Sequence, residues 1–237
     1  MRSKPPIVTP ELQQKLIEIH DRLCKEYGCP IPYFHNLDPL SELVSALLSH
    51  RTKNADSDRA FKRLKAKFPT WEAVRDASEK EIEAEIISCT WADQKAIRLK
   101  QILQQITEQR GKLSIDFLSD LSVEEARNWL ESFPGIGRKT SAAVLAFSNL
   151  RRRALPVDSH HHRVAIRLGL IPETTAVAPA HDLLEAQLPP EWTTQQVYDN
   201  HEVLMLHGQR CCFYRNPNCD RCVLLSLCSY GQNRVNR

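Results

Sequence analysis

Apolar positions recur at helical spacing along nearly the whole chain. Leu12, Leu16, Ile19 and Leu23 step by 4, 3 and 4, the stripe of one buried helix face. Pro10 opens that segment and Gly28 closes it, as helix ends favour. Leu40, Leu43, Val44, Leu47 and Leu48 repeat the stripe, and Phe61, Leu64 and Phe68 follow. Ile97, Leu99, Ile102, Leu103 and Ile106 place a helix near 92–109. Ser78-Glu79-Lys80-Glu81 and Ser122-Val123-Glu124-Glu125 set a hydroxyl three residues before a glutamate, the pattern of a reciprocal N-terminal cap. Further helical stretches run near 138–149, 159–168, 178–187 and 194–207. No strand-length alternation of apolar and polar residues is present. The pattern predicts an all-α protein of about ten helices.

Two breaks interrupt the stripes, one at Pro30 to Pro39 and one at Asn149 to Pro156. They set off a central segment. The two flanks are expected to pack together, because the N-terminal helix is too short to be a domain. Composition narrows the classes. With 237 residues, 42% hydrophobic and 26% charged, the chain can bury a real core, which excludes disorder as its main state. Seven glycines are few for a β-rich or Rossmann-type chain. No run of apolar residues reaches membrane-spanning length. The N-terminus, Met1-Arg2-Ser3-Lys4-Pro5-Pro6, lacks an apolar signal core, so a cytoplasmic location, nucleoid-associated if bacterial, is expected.

Eight cysteines are unevenly placed. Cys24, Cys29 and Cys89 are scattered, and Cys211 stands one residue out of phase with those that follow. Cys212, Cys219, Cys222 and Cys228 are spaced C-x6-C-x2-C-x5-C. Without an export signal, such clustering points to a metal rather than to disulfides. Four close cysteines suit zinc or an iron–sulfur cluster, and a single C-x2-C flanked by wider gaps fits zinc less well.

Phe133-Pro134-Gly135-Ile136-Gly137-Arg138-Lys139-Thr140 lies between a capped helix, 122–132, and an apolar helix beginning at Ser141. Helix, glycine-rich hairpin, helix suits a sequence-independent clamp on a nucleic-acid backbone. Gly135 and Gly137 allow positive φ and close approach, helix N-terminal amides bind phosphate, and Arg138 adds charge. The net charge of +3 is small, but the basic residues are regional. Arg138, Lys139, Arg151, Arg152 and Arg153 fall in a stretch without a single acidic residue. Lys139 sits in the first turn of the second helix, where the helix dipole and Arg138 disfavour an ammonium and favour a nucleophilic amine. Asp158, in Leu155-Pro156-Val157-Asp158-Ser159-His160, suits both a helix cap and a carboxylate facing a substrate.

This combination resembles the endonuclease III group of helix-hairpin-helix DNA glycosylases. The motifs are Phe-Pro-Gly-Ile-Gly-Arg-Lys-Thr at 133–140, Val-Asp-Ser-His at 157–160, and Leu-His-Gly at 206–208 leading into the four cysteines. The resemblance covers roughly 36–229. It implies a six-helix barrel domain over 36–151 that carries the hairpin. A second domain, built from 1–35 and 152–237, would carry a four-iron four-sulfur cluster on Cys212, Cys219, Cys222 and Cys228. DNA would bind across the cleft. Lys139 falls on the family's Schiff-base lysine and Asp158 on its essential aspartate. The implied activity is base excision from duplex DNA followed by β-elimination at the abasic site, by a monomer, with oxidised pyrimidines as the usual substrate.

Three places depart from the family pattern. Arg51 stands where close relatives place a glutamine that fills the gap left by a flipped base. Trp91 stands where they insert a smaller wedge, and an indole there could stack on bases. His160, His161 and His162 point about 100° apart on a helix, so they suit cleft or surface positions rather than one metal, with His160 a candidate DNA contact. These departures leave open a glycosylase for another base: a mismatch, a modified cytosine or an oxidised purine. A DNA-binding iron–sulfur protein without catalysis and a zinc-ribbon module are the readings from other classes.

Overall fold

The computed structural model describes residues 8–236. The stretch Met1 to Pro6, read above for an export signal, lies outside them. Among the described residues, twelve α-helices run in the order α1 (Pro10–Tyr27), α2 (Pro39–Ser49), α3 (Asn54–Lys67), α4 (Trp71–Asp76), α5 (Glu79–Glu85), α6 (Ala92–Arg110), α7 (Val123–Glu131), α8 (Arg138–Phe147), α9 (Ser159–Arg167), α10 (Val177–Gln187), α11 (Thr194–Arg210) and α12 (Ser229–Val235). Three short 3-10 turns join them, and no strand occurs among the described residues. The fold is all-α. The sequence expects about ten helices because α4 and α12 are too short to display a period of their own, whereas the equally short α5 is marked by its Ser78 cap.

The chain divides into two compact units, one of residues up to Phe34 together with Arg151 onward, the other His35–Leu150. In the second, α2 packs against α8 and α3, α7 against α8, and α5 against α6. Leu43, Val44, Leu64, Val74, Ile82, Leu103 and Leu145 are wholly buried there. The N–H of Asn149 donates to the carbonyl of Leu37 at 2.8 Å, tying the ends of that unit together. The Ser78 and Ser122 caps form as reciprocal boxes with Glu81 and Glu125.

In the first unit, α1 and α9 both pack on α11. Leu16, Ile19, Leu23, Val157, Val164, Ala165, Val203 and Leu204 share one core. The Arg151 guanidinium lies 3.5 Å over the Tyr33 ring, which in turn lies 4.2 Å from Tyr198, so both chain crossovers are fastened to α11.

Two expectations change. Cys24 and Cys29, scattered in the sequence where no disulfide is expected, form one, because Gly28 ends α1 at φ 83° and turns Cys29 back toward Cys24. His161 is not a surface or cleft residue but wholly buried. It shares the inward face of α9 with Val164, Ala165 and Leu168, at offsets of three, four and seven. His160 and His162 remain partly exposed.

Candidate functional site

Phe133 and Ile136 are buried and anchor the hairpin, with Pro134 and Gly135 exposed between them. Gly135 has φ 84°, the left-handed region, and a Cβ there would fall 2.7 Å from Cδ and Nε of Arg98. Gly137 differs from expectation. Its φ of −113° and ψ of −179° are extended, so it needs no special conformation. A Cβ on Gly137 would meet nothing within 4 Å. Gly137 is the N-cap of α8 and provides no side-chain cap, so the first amides of α8 are left to other acceptors. Arg138 reaches back to Glu131 at 3.7 Å, and the Ser141 hydroxyl donates to the same carboxylate oxygen at 2.6 Å. Lys139 points from the first turn of α8 and is exposed.

Lys139 stands in a cation-rich neighbourhood that the sequence does not reveal. Burial, then Lys95, Lys139, Arg51 and Arg98, hold the His50 imidazole below its ordinary pKa. His50, Lys95, Arg98, Gly135 and Thr140 line a pocket with about 360 Å³ of empty space. Arg51 and Trp91 are both exposed and both sit at φ 55°. The two rings of His50 and Trp91 lie 6.4 Å apart. Trp91 is half exposed and does not face the core.

Asp158 is the N-cap of α9, its Oδ1 accepting the backbone N–H of His161 at 2.7 Å. Glu202 on α11 is a neighbour the sequence gives no sign of. Burial first, then Asp158 and Asp199, push its carboxyl up to about 7. The Leu206-His207-Gly208 motif has two structural reasons. A Cβ on Gly208 would fall 2.8 Å from Cβ of His160, because α9 crosses α11 there. The Gly208 carbonyl accepts Arg163 Nη2 at 2.7 Å, and the same nitrogen lies 3.2 Å from Nδ1 of His160.

Cys212, Cys219, Cys222 and Cys228 line one pocket with about 350 Å³ of empty space. Cys211 and His207 line it too, so Cys211 stands in the cysteine cluster rather than apart from it. Backbone N–H groups of Leu224 and Gly231 donate to Sγ of Cys222 and Cys228 at 3.4 and 3.3 Å, and Arg167 Nη1 donates to Sγ of Cys212 at 3.2 Å. Donors aimed at sulfur suit thiolates carrying negative charge. His207, Cys211 and Cys222 come within 4.8 Å of one another, so this pocket is a Cys/His site able to hold a metal.

A family model for the helix-hairpin-helix glycosylase superfamily, described as HhH-GPD superfamily base excision DNA repair protein, matches residues 44–190. The chain belongs to this superfamily. An Arabidopsis thaliana protein bearing a DNA glycosylase name is 35% identical over 195 residues, 82% of this chain, and the chain spans 65% of that relative's length. Endonuclease III of Thermotoga maritima is 28% identical over 216 residues, covering 90% of this chain and 94% of the relative. Among solved structures, a non-covalent endonuclease III–DNA complex matches 98% of this chain and all of its own with a TM-score of 0.80 at 23% identity. A thermostable thymine-DNA glycosylase matches 93% of this chain and 98% of its own with a TM-score of 0.76 at 21% identity. These structures share the superfamily fold.

Proposed function

We propose that the protein is a base-excision DNA glycosylase with AP lyase activity, acting on damaged bases or abasic sites in duplex DNA as a monomer. Oxidised pyrimidines are the first substrate class. The observation that carries this reading is Lys139 itself: an exposed amine on the first turn after the hairpin, near His50, Arg51 and Arg98. That neighbourhood suits a polyanionic strand. The damaged nucleotide leaves the stack at the cost of unstacking. The neutral amine of Lys139 attacks the sugar C1′, and the bond from C1′ to the base breaks with its electron pair leaving on the base. Asp158 stabilises the positive charge that builds on the sugar, and its cap to His161 fixes its direction. The nitrogen then loses a proton, the C1′–O4′ bond opens with O4′ taking up a proton, and the resulting Schiff base acidifies the C2′ proton. Loss of that proton breaks the bond to the 3′ phosphate and nicks the strand.

The backbone is held by Gly135, Gly137 and Arg138 of the hairpin, with Arg51, Trp91 and His160 as further contacts. Cys212, Cys219, Cys222 and Cys228 hold a four-iron four-sulfur cluster. The donor set supports this: four thiols around one pocket, three of them met by N–H donors. When bound, the cluster supplies a rigid ionic brace for the C-terminal loop. The location that goes with this reading is the cytoplasm, at the nucleoid if bacterial. No described helix is long and apolar enough to cross a membrane.

Arg51 and Trp91 favour a second reading of the substrate, a base other than an oxidised pyrimidine, since these residues depart from the family pattern. A panel of single-lesion duplexes, incubated with and without subsequent alkali, tests both. Strand cleavage without alkali is the expected result. Release of no base from any duplex would leave only a DNA-structure-binding protein.

A further inference from the structure

The buried ammonium of Lys95 holds the loop that carries Arg51 and, through the Thr52 hydroxyl, is linked to the loop that carries Trp91. Lys95 is 7% exposed. Its three N–H donors go to the carbonyls of Leu48 and His50 at 2.6 and 2.8 Å and to the Thr52 hydroxyl at 2.8 Å. The first two acceptors lie at the end of α2, where helix carbonyls lack internal partners. A simple C-terminal cap would need no more. Here the acceptors straddle Arg51, which holds a left-handed conformation. The Thr52 hydroxyl oxygen also accepts the backbone N–H of Thr90 at 3.1 Å, immediately before Trp91. Trp91 is itself left-handed, and its carbonyl accepts the N–H of Lys95 at 2.9 Å. One ammonium and one hydroxyl thus fasten together two loops far apart in sequence. Each loop presents one exposed side chain from a backbone conformation that a non-glycine residue rarely adopts.

We infer that Lys95 is a positioning residue: through Thr52 it holds Arg51 and Trp91 at a fixed spacing, so that guanidinium and indole engage an abasic or base-flipped duplex together. This rests on the proposed action on DNA. The chemistry recognised is the gap left by a missing base, which an indole fills by stacking and a guanidinium by hydrogen bonding to the orphaned base. Loops free to drift apart would still grip the backbone through the hairpin but would lose preference for the gap.

The test is equilibrium binding of the full-length protein to two duplexes, one undamaged and one carrying a tetrahydrofuran abasic analogue. A 2-aminopurine opposite the analogue reports stacking by its fluorescence. Wild type is expected to prefer the analogue. Lys95→Met is expected to lose roughly tenfold of that preference, the size of one lost stacking contact, with affinity for undamaged duplex unchanged. Thr52→Val, which keeps the lysine but removes the shared oxygen, is expected to lose part of it. In an Arg51→Ala, Trp91→Ala background, Lys95→Met is expected to have no further effect. The inference is overturned if folded Lys95→Met keeps the preference, weakens both duplexes equally, or still acts in that background. Where Lys95→Met does not fold, Thr52→Val carries the same criteria. Wild type without any preference overturns the action on abasic DNA, and the inference with it. A wild-type preference retained by the variants overturns the inference alone.

Discussion

The carboxylate of Asp158 accepts the backbone N–H of His161 at 2.7 Å while the imidazole of His161 is wholly buried beneath the same helix turn. Asp158 is therefore both a structural cap and a proposed catalytic group, and the two roles separate by substitution. Asp158→Asn keeps a cap of similar strength, so the melting temperature should stay within a few degrees of wild type. Asp158→Ala should lose about 1 kcal/mol with the cap. Both should lose most base excision, since neither offers a negative charge to the sugar. Excision by Asp158→Asn at the wild-type rate would leave the residue only its cap.

The hairpin glycines should behave differently from one another. Gly135→Ala forces a Cβ against Arg98 at a left-handed position, which costs about 1–2 kcal/mol for the backbone alone. Gly137→Ala meets open space in an extended conformation and should cost less than about 1 kcal/mol. Weaker DNA binding by Gly137→Ala, measured on undamaged duplex, would then report the close approach of a phosphate backbone. Unchanged binding would remove that amide from the interface.

A half-buried carboxyl and a buried imidazole give the first unit opposite responses to pH. Glu202 titrates higher in the folded protein, at about 7, than the ordinary 4.5 of an unfolded chain. Its contribution to stability is present below about pH 4.5 and is lost as pH rises toward 7. His161 titrates well below 6.5, held down by burial first and then by His201, His181 and His162. Its contribution is present above pH 6.5 and is lost as pH falls. Urea denaturation across pH 4.5 to 8 should therefore show Glu202→Gln gaining on wild type as pH rises. Equal slopes would place the Glu202 carboxyl in ordinary solvent.

The helical stripes were legible in the sequence because each depends on neighbours within one turn. Ser78 and Ser122 were legible for the same reason, as was the hairpin, whose prolines and glycines act locally. The inward position of His161 was also written there, at helical offsets before Val164, Ala165 and Leu168, but three adjacent histidines masked it. What the sequence does not show is contact made across long chain separations. Gly208 is small because α9 crosses α11, Arg98 lies under Gly135, and Lys95 fastens Thr52. Glu202 joins its site in the same way, by packing alone. No spacing rule marks such residues.

The cysteine pocket distinguishes its members. Purified protein should be brown and absorb near about 400 nm. Cys212→Ser, Cys219→Ser, Cys222→Ser and Cys228→Ser should each lose that absorbance, and Cys211→Ser should keep it. Loss on Cys211→Ser together with retention on Cys212→Ser would move the ligand set to the compact group of His207, Cys211 and Cys222.

The central claim, that the Lys139 amine forms a covalent bond to the sugar, is tested most directly by borohydride reduction during incubation with an abasic duplex. A protein–DNA adduct is expected with wild type and none with Lys139→Ala, provided the variant still binds the duplex through its hairpin. Equal trapping of Lys139→Ala would contradict the assignment.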